Sequence, residues 1–149
     1  MHKNFIQTSD FILYINLLIA TILEYFYPTN ISIKYKLIFG IIILITSWTI
    51  IILSKKEFNK YKQKSGPGNN IEKIIDTGIY KYSRNPIYLA VILINISIGF
   101  IFNSIWILLD TILIGICLNY FLIQKEEKFL QSKFGNLFTK YKNKVRKWI

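Results

Sequence analysis

Two short stretches hold most of the side chains able to do chemistry. "DTGIYKYSRNPIYLA", residues 76–90, packs three tyrosines, a lysine, an arginine, an asparagine and a proline into one span. "QKEEKFLQSKFG", residues 124–135, sets Glu126 and Glu127 among lysines. In the first, Gly78 permits a tight turn or a close approach to a ligand. Pro86 suits the first turn of a helix, where its missing N–H costs nothing. Arg84 and Asn85 then stand at a helix N-terminus, whose free N–H groups attract an anion such as a carboxylate. Tyr80, Tyr82 and Tyr88 add ring faces and hydroxyls. Such a set suits a small zwitterion carrying a carboxylate and a cation. The same residues equally suit a plainer role, with tyrosines at lipid-headgroup level and an arginine on a phosphate. In the second stretch, a regular helix puts Glu126 on one face with Asn119, where a carboxylate can hold an amine or a ribose hydroxyl. The plainer alternative is surface pairing, Glu127 with Gln124 or Gln131 and Glu126 with a nearby lysine.

The elements that must position these residues are apolar. A membrane-spanning helix needs roughly 20 mostly apolar residues, and four segments qualify: 11–27, 33–54, 86–103 and 104–123. The first lacks the basic lead and small-residue cleavage site of a signal peptide. Eight of the 19 Lys and Arg fall in the 55–85 connection and eight more in the tail from 124. Basic residues stay on the cytoplasmic side. Four spans put connection, tail and N-terminus on that one face, which three or five would not. The connection opens as a helical continuation of the second span and is stopped by "SGPGNN", 65–70. In the tail, Leu130, Phe134, Leu137, Tyr141, Val145 and Trp148 recur at helical steps with lysines between. That pattern suits a helix on the bilayer surface, broken in two at Gly135-Asn136. Within the spans, Asn16, Asn95 and Asn119 are candidates for interhelical hydrogen bonds. Asp110 is expected to make a structural polar contact, and Glu24 to lie at an interface.

Composition narrows the chemistry. The chain has 149 residues, enough for one domain; it is 52% hydrophobic with a formal charge of +11. Because charge is segregated from the apolar runs, lipid rather than nucleic acid is the expected partner. One cysteine, Cys117, precludes a disulfide framework or a Cys-based metal site within the chain. The one histidine, His2, stands at the terminus and argues against His-centred catalysis. There is no GxGxxG after a strand, no P-loop, no HExxH and no Ser/His/Asp set. The helical pattern excludes a soluble Rossmann-type methyltransferase or dehydrogenase.

Taken together, the two stretches resemble the isoprenylcysteine carboxyl methyltransferase and phospholipid methyltransferase superfamily, integral-membrane enzymes that use S-adenosylmethionine. The first motif is matched by Gly78, Tyr80, Arg84, Asn85, Pro86 and Tyr88. About forty residues later, the second is matched by Glu126, Glu127, Leu130, Phe134, Gly135, Tyr141 and Val145. The resemblance covers residues 65–149. It implies an all-α integral-membrane domain with four transmembrane helices, a cofactor loop over 65–85, and an amphipathic tail folded back over that loop. It implies a cofactor site of Glu72, Lys73, Ile74, Ile75, Gly78, Tyr80, Asn85, Pro86, Ile87, Tyr88, Glu126 and Glu127, with Arg84 and Glu126 as catalytic residues and no metal. It also implies a lipid-like or small hydrophobic methyl acceptor entering from the bilayer. Methyl transfer from a sulfonium needs positioning rather than a protein nucleophile. The chain departs from the pattern at Ile79, Asn85 and Ala90. Leu122 stands where eukaryotic relatives carry a substrate-binding arginine, which directs attention to a phospholipid amine or a small thiol rather than prenylcysteine. Two alternative readings are an NADPH-dependent sterol-reductase-like enzyme, for which this region offers few arginines, and a non-enzymatic small four-span membrane protein or transporter.

Overall fold

The computed structural model describes residues 2–63 and 71–149, with side chains from residue 14 onward. The predicted stop at 65–70 lies outside the described residues. Among those described, the chain is all-helical: α1 (His2–Phe26), α2 (Lys36–Lys60), a 3-10 turn (Gly78–Lys81), α3 (Pro86–Ile101), α4 (Ile105–Cys117), a π turn (Leu118–Ile123), α5 (Gln124–Phe134) and α6 (Asn136–Lys144). Pro86 opens α3 as expected. Gly135, at φ +50°, ends α5 and starts α6, a backbone conformation that glycine adopts without Cβ strain.

The helices do not pack in chain order. α2 lies along α3, α3 along α4, and α4 along α1. The α1–α2 linker bridges the set by gripping the α3–α4 turn. Ile31 N donates to Asn103 Oδ1 at 2.8 Å and Ile105 N to Thr29 Oγ1 at 2.9 Å. Glu24, half-buried at the end of α1, accepts from Thr29 N at 2.7 Å and from the Ser104 hydroxyl. Its expected interfacial position is thus a clasp between helix ends.

Close packing of α2 on α3 rests on small residues seven apart. Gly40, Ser47 and Ser54 are the buried residues of α2. A Cβ on Gly40 would meet Ile101 Cγ1 at 2.8 Å and the Ser97 carbonyl at 3.1 Å. The serine hydroxyls donate to their own helix, at Ile43 O and Ile50 O, both 2.7 Å. Between α3 and α4, Asn95 Nδ2 donates to Ile107 O at 3.1 Å and Thr111 Oγ1 at 2.9 Å, the interhelical bond expected of it.

The burial pattern is inverted relative to a water-soluble core. Ser47, Ser54, Ser97 and Ser104 are fully buried, while Ile45, Ile52 and Ile112 are more than 60% exposed. Apolar exteriors with small and polar residues between helices belong to proteins solvated by lipid. Two helices, Lys36–Lys60 and Ile105–Phe134, are long and apolar enough to cross a membrane; Tyr14–Phe26 and Pro86–Ile101 are shorter apolar helices.

Candidate active site

The connection after α2 is folded by buried polar side chains. Gln63 reaches across the start of the loop: its Oε1 accepts from Glu72 N at 2.9 Å, and its Nε2 donates to Lys73 O at 3.2 Å. Glu57 Oε2 accepts from Thr77 Oγ1 at 2.7 Å. Gly78 has φ +56°, and a Cβ there would collide with the Glu57 carboxylate. This glycine therefore serves a close approach of loop to helix α2. The 3-10 turn that follows buries Tyr80, whose ring meets Phe58 edge-on at 5.5 Å between centroids.

The tail folds back over this loop, held by both backbone and side chains. Tyr141 Oη donates to Tyr80 O at 2.9 Å, and Arg84 N to Arg146 O at 3.1 Å. Asn85 Nδ2 donates to Lys147 O at 2.9 Å. Arg84 Nη1 donates to Lys142 O at 3.2 Å, while Nη2 pairs with Glu127 Oε1 at 2.9 Å. Phe138, Tyr141 and Val145 form a small core with Ile74, Leu130 and Phe134. The tail thus spends its apolar face on the loop rather than laying it freely on a bilayer. Leu137, expected in that face, is 66% exposed, and Phe138 is buried in its place. Phe138 continues the helical steps from Leu130 and Phe134 to Tyr141 and Val145 as well as Leu137 does.

Loop and tail enclose a small cavity of about 120 Å³ that opens to the surface. Lys73, Ile74 and Ile75 line it from the loop, with Tyr80, Arg84, Asn85, Pro86, Ile87 and Tyr88 from the turn and the start of α3. Glu126 and Glu127 line it from α5. Of the predicted set only Glu72 and Gly78 stand outside: Glu72 faces a separate groove beside Lys140 and Lys144, and Gly78 packs on Glu57. Sequence reasoning missed four wall residues, Phe58, Ile71, Leu130 and Phe138, and gave Tyr141 no site role. The helical spacing of the tail marks Leu130 and Tyr141; nothing marks Phe58, in a lysine-rich helix end.

Glu126 is the chemically distinctive member. Burial pushes its carboxyl up to about 7, opposed by interaction with the Tyr88 hydroxyl. That hydroxyl is itself buried and has no formed hydrogen bond. Burial likewise raises the Tyr80 and Tyr141 hydroxyls, so both stay protonated. The π turn just before α5 shifts the phase of the helix, as single π turns do next to functional sites, and so sets the direction from which Glu126 meets the cavity. It also separates Glu126 from the face expected to hold Asn119, whose Oδ1 accepts from Lys147 Nζ at 3.1 Å. Glu127 is not paired with a glutamine. It binds Arg84 and, at 3.8 Å, Lys142. Arg84 accordingly does not meet Glu126, and only its Nε is left without a partner.

The sequence profile of the phospholipid methyltransferase family matches residues 35–137. The chain belongs to the phospholipid methyltransferase family. The match takes in α2, the loop, α3, α4 and α5, the elements that build most of the cavity, and stops short of most of α6. An uncharacterized protein of Haemophilus influenzae is 36% identical over 62 residues, 42% of this chain and 98% of that protein. No solved structure matches. Within this phospholipid methyltransferase family member, the two motifs sit far apart in the chain and meet in one cavity, with the half-buried carboxyl of Glu126 at the seam.

Proposed function

We propose that the protein transfers a methyl group from S-adenosylmethionine to a lipid-like or small hydrophobic acceptor at the cytoplasmic face of a membrane. The observation that carries this reading is the cavity in which Glu126 meets Tyr80, Tyr88 and the start of α3. Its residues fit the cofactor: a carboxylate for an amine, a helix N-terminus and the free Arg84 Nε for a carboxylate, and tyrosine rings beside a sulfonium. When bound, the cofactor supplies an electrophilic methyl group on that sulfonium. The protein's part is to orient donor and acceptor and to exclude water. Half-buried Glu126, poised near neutral pH, is placed to hold an amine or to take up a proton as an amine acceptor is methylated. The apolar flanks of α3 and α4 support lateral arrival of the acceptor from the bilayer. The four apolar helical stretches and the basic connection and tail support four spans with both termini cytoplasmic.

Membranes carrying the protein, incubated with S-adenosylmethionine labelled in its methyl group, should yield label in a lipid or small-molecule fraction. Purified protein that neither binds the cofactor saturably nor transfers label would end this reading.

A further inference from the structure

The bundle carries a second cavity, of about 370 Å³, between α1 and α4. Ile19, Ala20 and Leu23 wall it from one side, and Leu109 and Leu113 from the other. Ile19, Leu109, Ile112 and Leu113 are each at least 50% exposed, so the mouth opens through the apolar flank of the protein. Among the described residues one ionisable side chain lines it: Asp110, only 6% exposed, with Oδ2 buried and without a hydrogen-bond partner. The structural polar contact expected of Asp110 is not made. Its neighbours are apolar, and nearby donors are spent elsewhere: Trp106 Nε1 donates to Tyr27 O at 2.8 Å. At about 1.5 Å per residue, Asp110 lies about 24 Å along the helix from Glu126, so this cavity is separate from the methyl-transfer site.

We infer that the α1–α4 cavity binds an amphiphile: an apolar chain ended by a hydroxyl or ammonium donor, which enters sideways and donates to the Asp110 carboxyl. A buried polar group without a partner is costly where no water reaches, so a ligand that brings the donor is rewarded. Ionised or protonated, the carboxyl keeps an accepting oxygen. The apolar walls take the chain, and the volume suits a ligand of that size. A second copy of this protein is a poorer occupant. At matching depth, its α1 and α4 offer the hydroxyls of Thr21 and Thr111, which already donate to Leu17 O and Ile107 O.

Trp106 in the cavity wall provides the readout. A variant keeping only this tryptophan (Trp48→Phe with Trp148→Phe), purified in a detergent without hydrogen-bond donors, is titrated with a long-chain alcohol brominated along its chain. Saturable quenching is expected. Half-saturation should weaken at least about tenfold when the probe's hydroxyl is methylated or when Asp110 is replaced by Leu. Asp110→Leu removes a buried unpaired carboxyl, so it should fold, and Asp110→Asn, which keeps an acceptor, should restore most of the binding. Quenching that rises linearly, or curves identical in wild type and Asp110→Leu, overturns the inference. So does a dimer in which Trp106 is shielded from probe until the copies are separated. Methyl transfer is not measured, so the outcome is independent of the proposed activity.

Discussion

Replacing Arg84 should release the tail from the loop, and replacing Glu127 should do nearly the same. Arg84 and Glu127 side chains are 7% and 14% exposed and pair at 2.9 Å. The guanidinium also holds Lys142 O, at the C-terminal end of α6. Removing one partner of a buried ion pair typically costs about 3–5 kcal/mol, because the other charge is left desolvated. For Glu127 that cost is reduced by Lys142 Nζ at 3.8 Å, half in solvent. Arg84→Ala is therefore expected to cost about 2–4 kcal/mol, and Glu127→Ala a similar amount. The double variant should cost clearly less than the sum, with a coupling of about 1–3 kcal/mol. Arg84→Lys should rescue little, since an ammonium cannot reproduce the fork. The assay is unfolding of purified protein in mixed micelles, read beside protease cleavage within 136–149. Additive costs, or Glu127→Ala with wild-type stability and an uncleaved tail, would refute the clamp and return Arg84 to a role confined to ligand.

Three further outcomes follow from the same geometry. Glu126 has a folded-state value of about 7 against an ordinary 4.5; stability is thus full below 4.5 and falls by about 3 kcal/mol as pH rises through about 7. Glu126→Gln should flatten that profile, and an unchanged slope in unfolding midpoints between pH 5 and 8 would contradict it. Gly78→Ala forces a Cβ into a left-handed position against Glu57, costing about 1–2 kcal/mol from the backbone alone; adding Glu57→Ala should recover the steric part but not the backbone part. Gly40→Leu should separate α2 from α3 and cost about 1–3 kcal/mol, whereas the same change at lipid-facing Ile41, 43% exposed, should be nearly silent in unfolding experiments.

The helices were legible because apolar runs and Pro86 leave few choices, and the meeting of the two motifs was legible from the resemblance they carry. Packing order was not. Nothing in composition says that α4, rather than α2, lies against α1, because lipid solvates every apolar face alike and partner choice falls to small residues such as Gly40, Ser47 and Ser54. Within the site, periodic reading failed where the helix departs from its ideal period. The π turn spoils the Asn119–Glu126 face; in the tail, Leu137 and Phe138 fit the helical steps equally well, and the loop takes Phe138. Gly78 was legible as a glycine that the backbone requires, yet its close neighbour is a glutamate from the preceding helix rather than a ligand.

The side-by-side order α2–α3–α4–α1 makes the first helix a detachable outrigger. It packs on α4 and the π turn, lends none of its described side chains to the cavity that Glu126 lines, and precedes the family match, which begins at residue 35. The body that carries the candidate site can therefore vary its N-terminal attachment without changing the side chains described around that site. What such an attachment changes is the flank of α4 that it covers, including the carboxyl of Asp110.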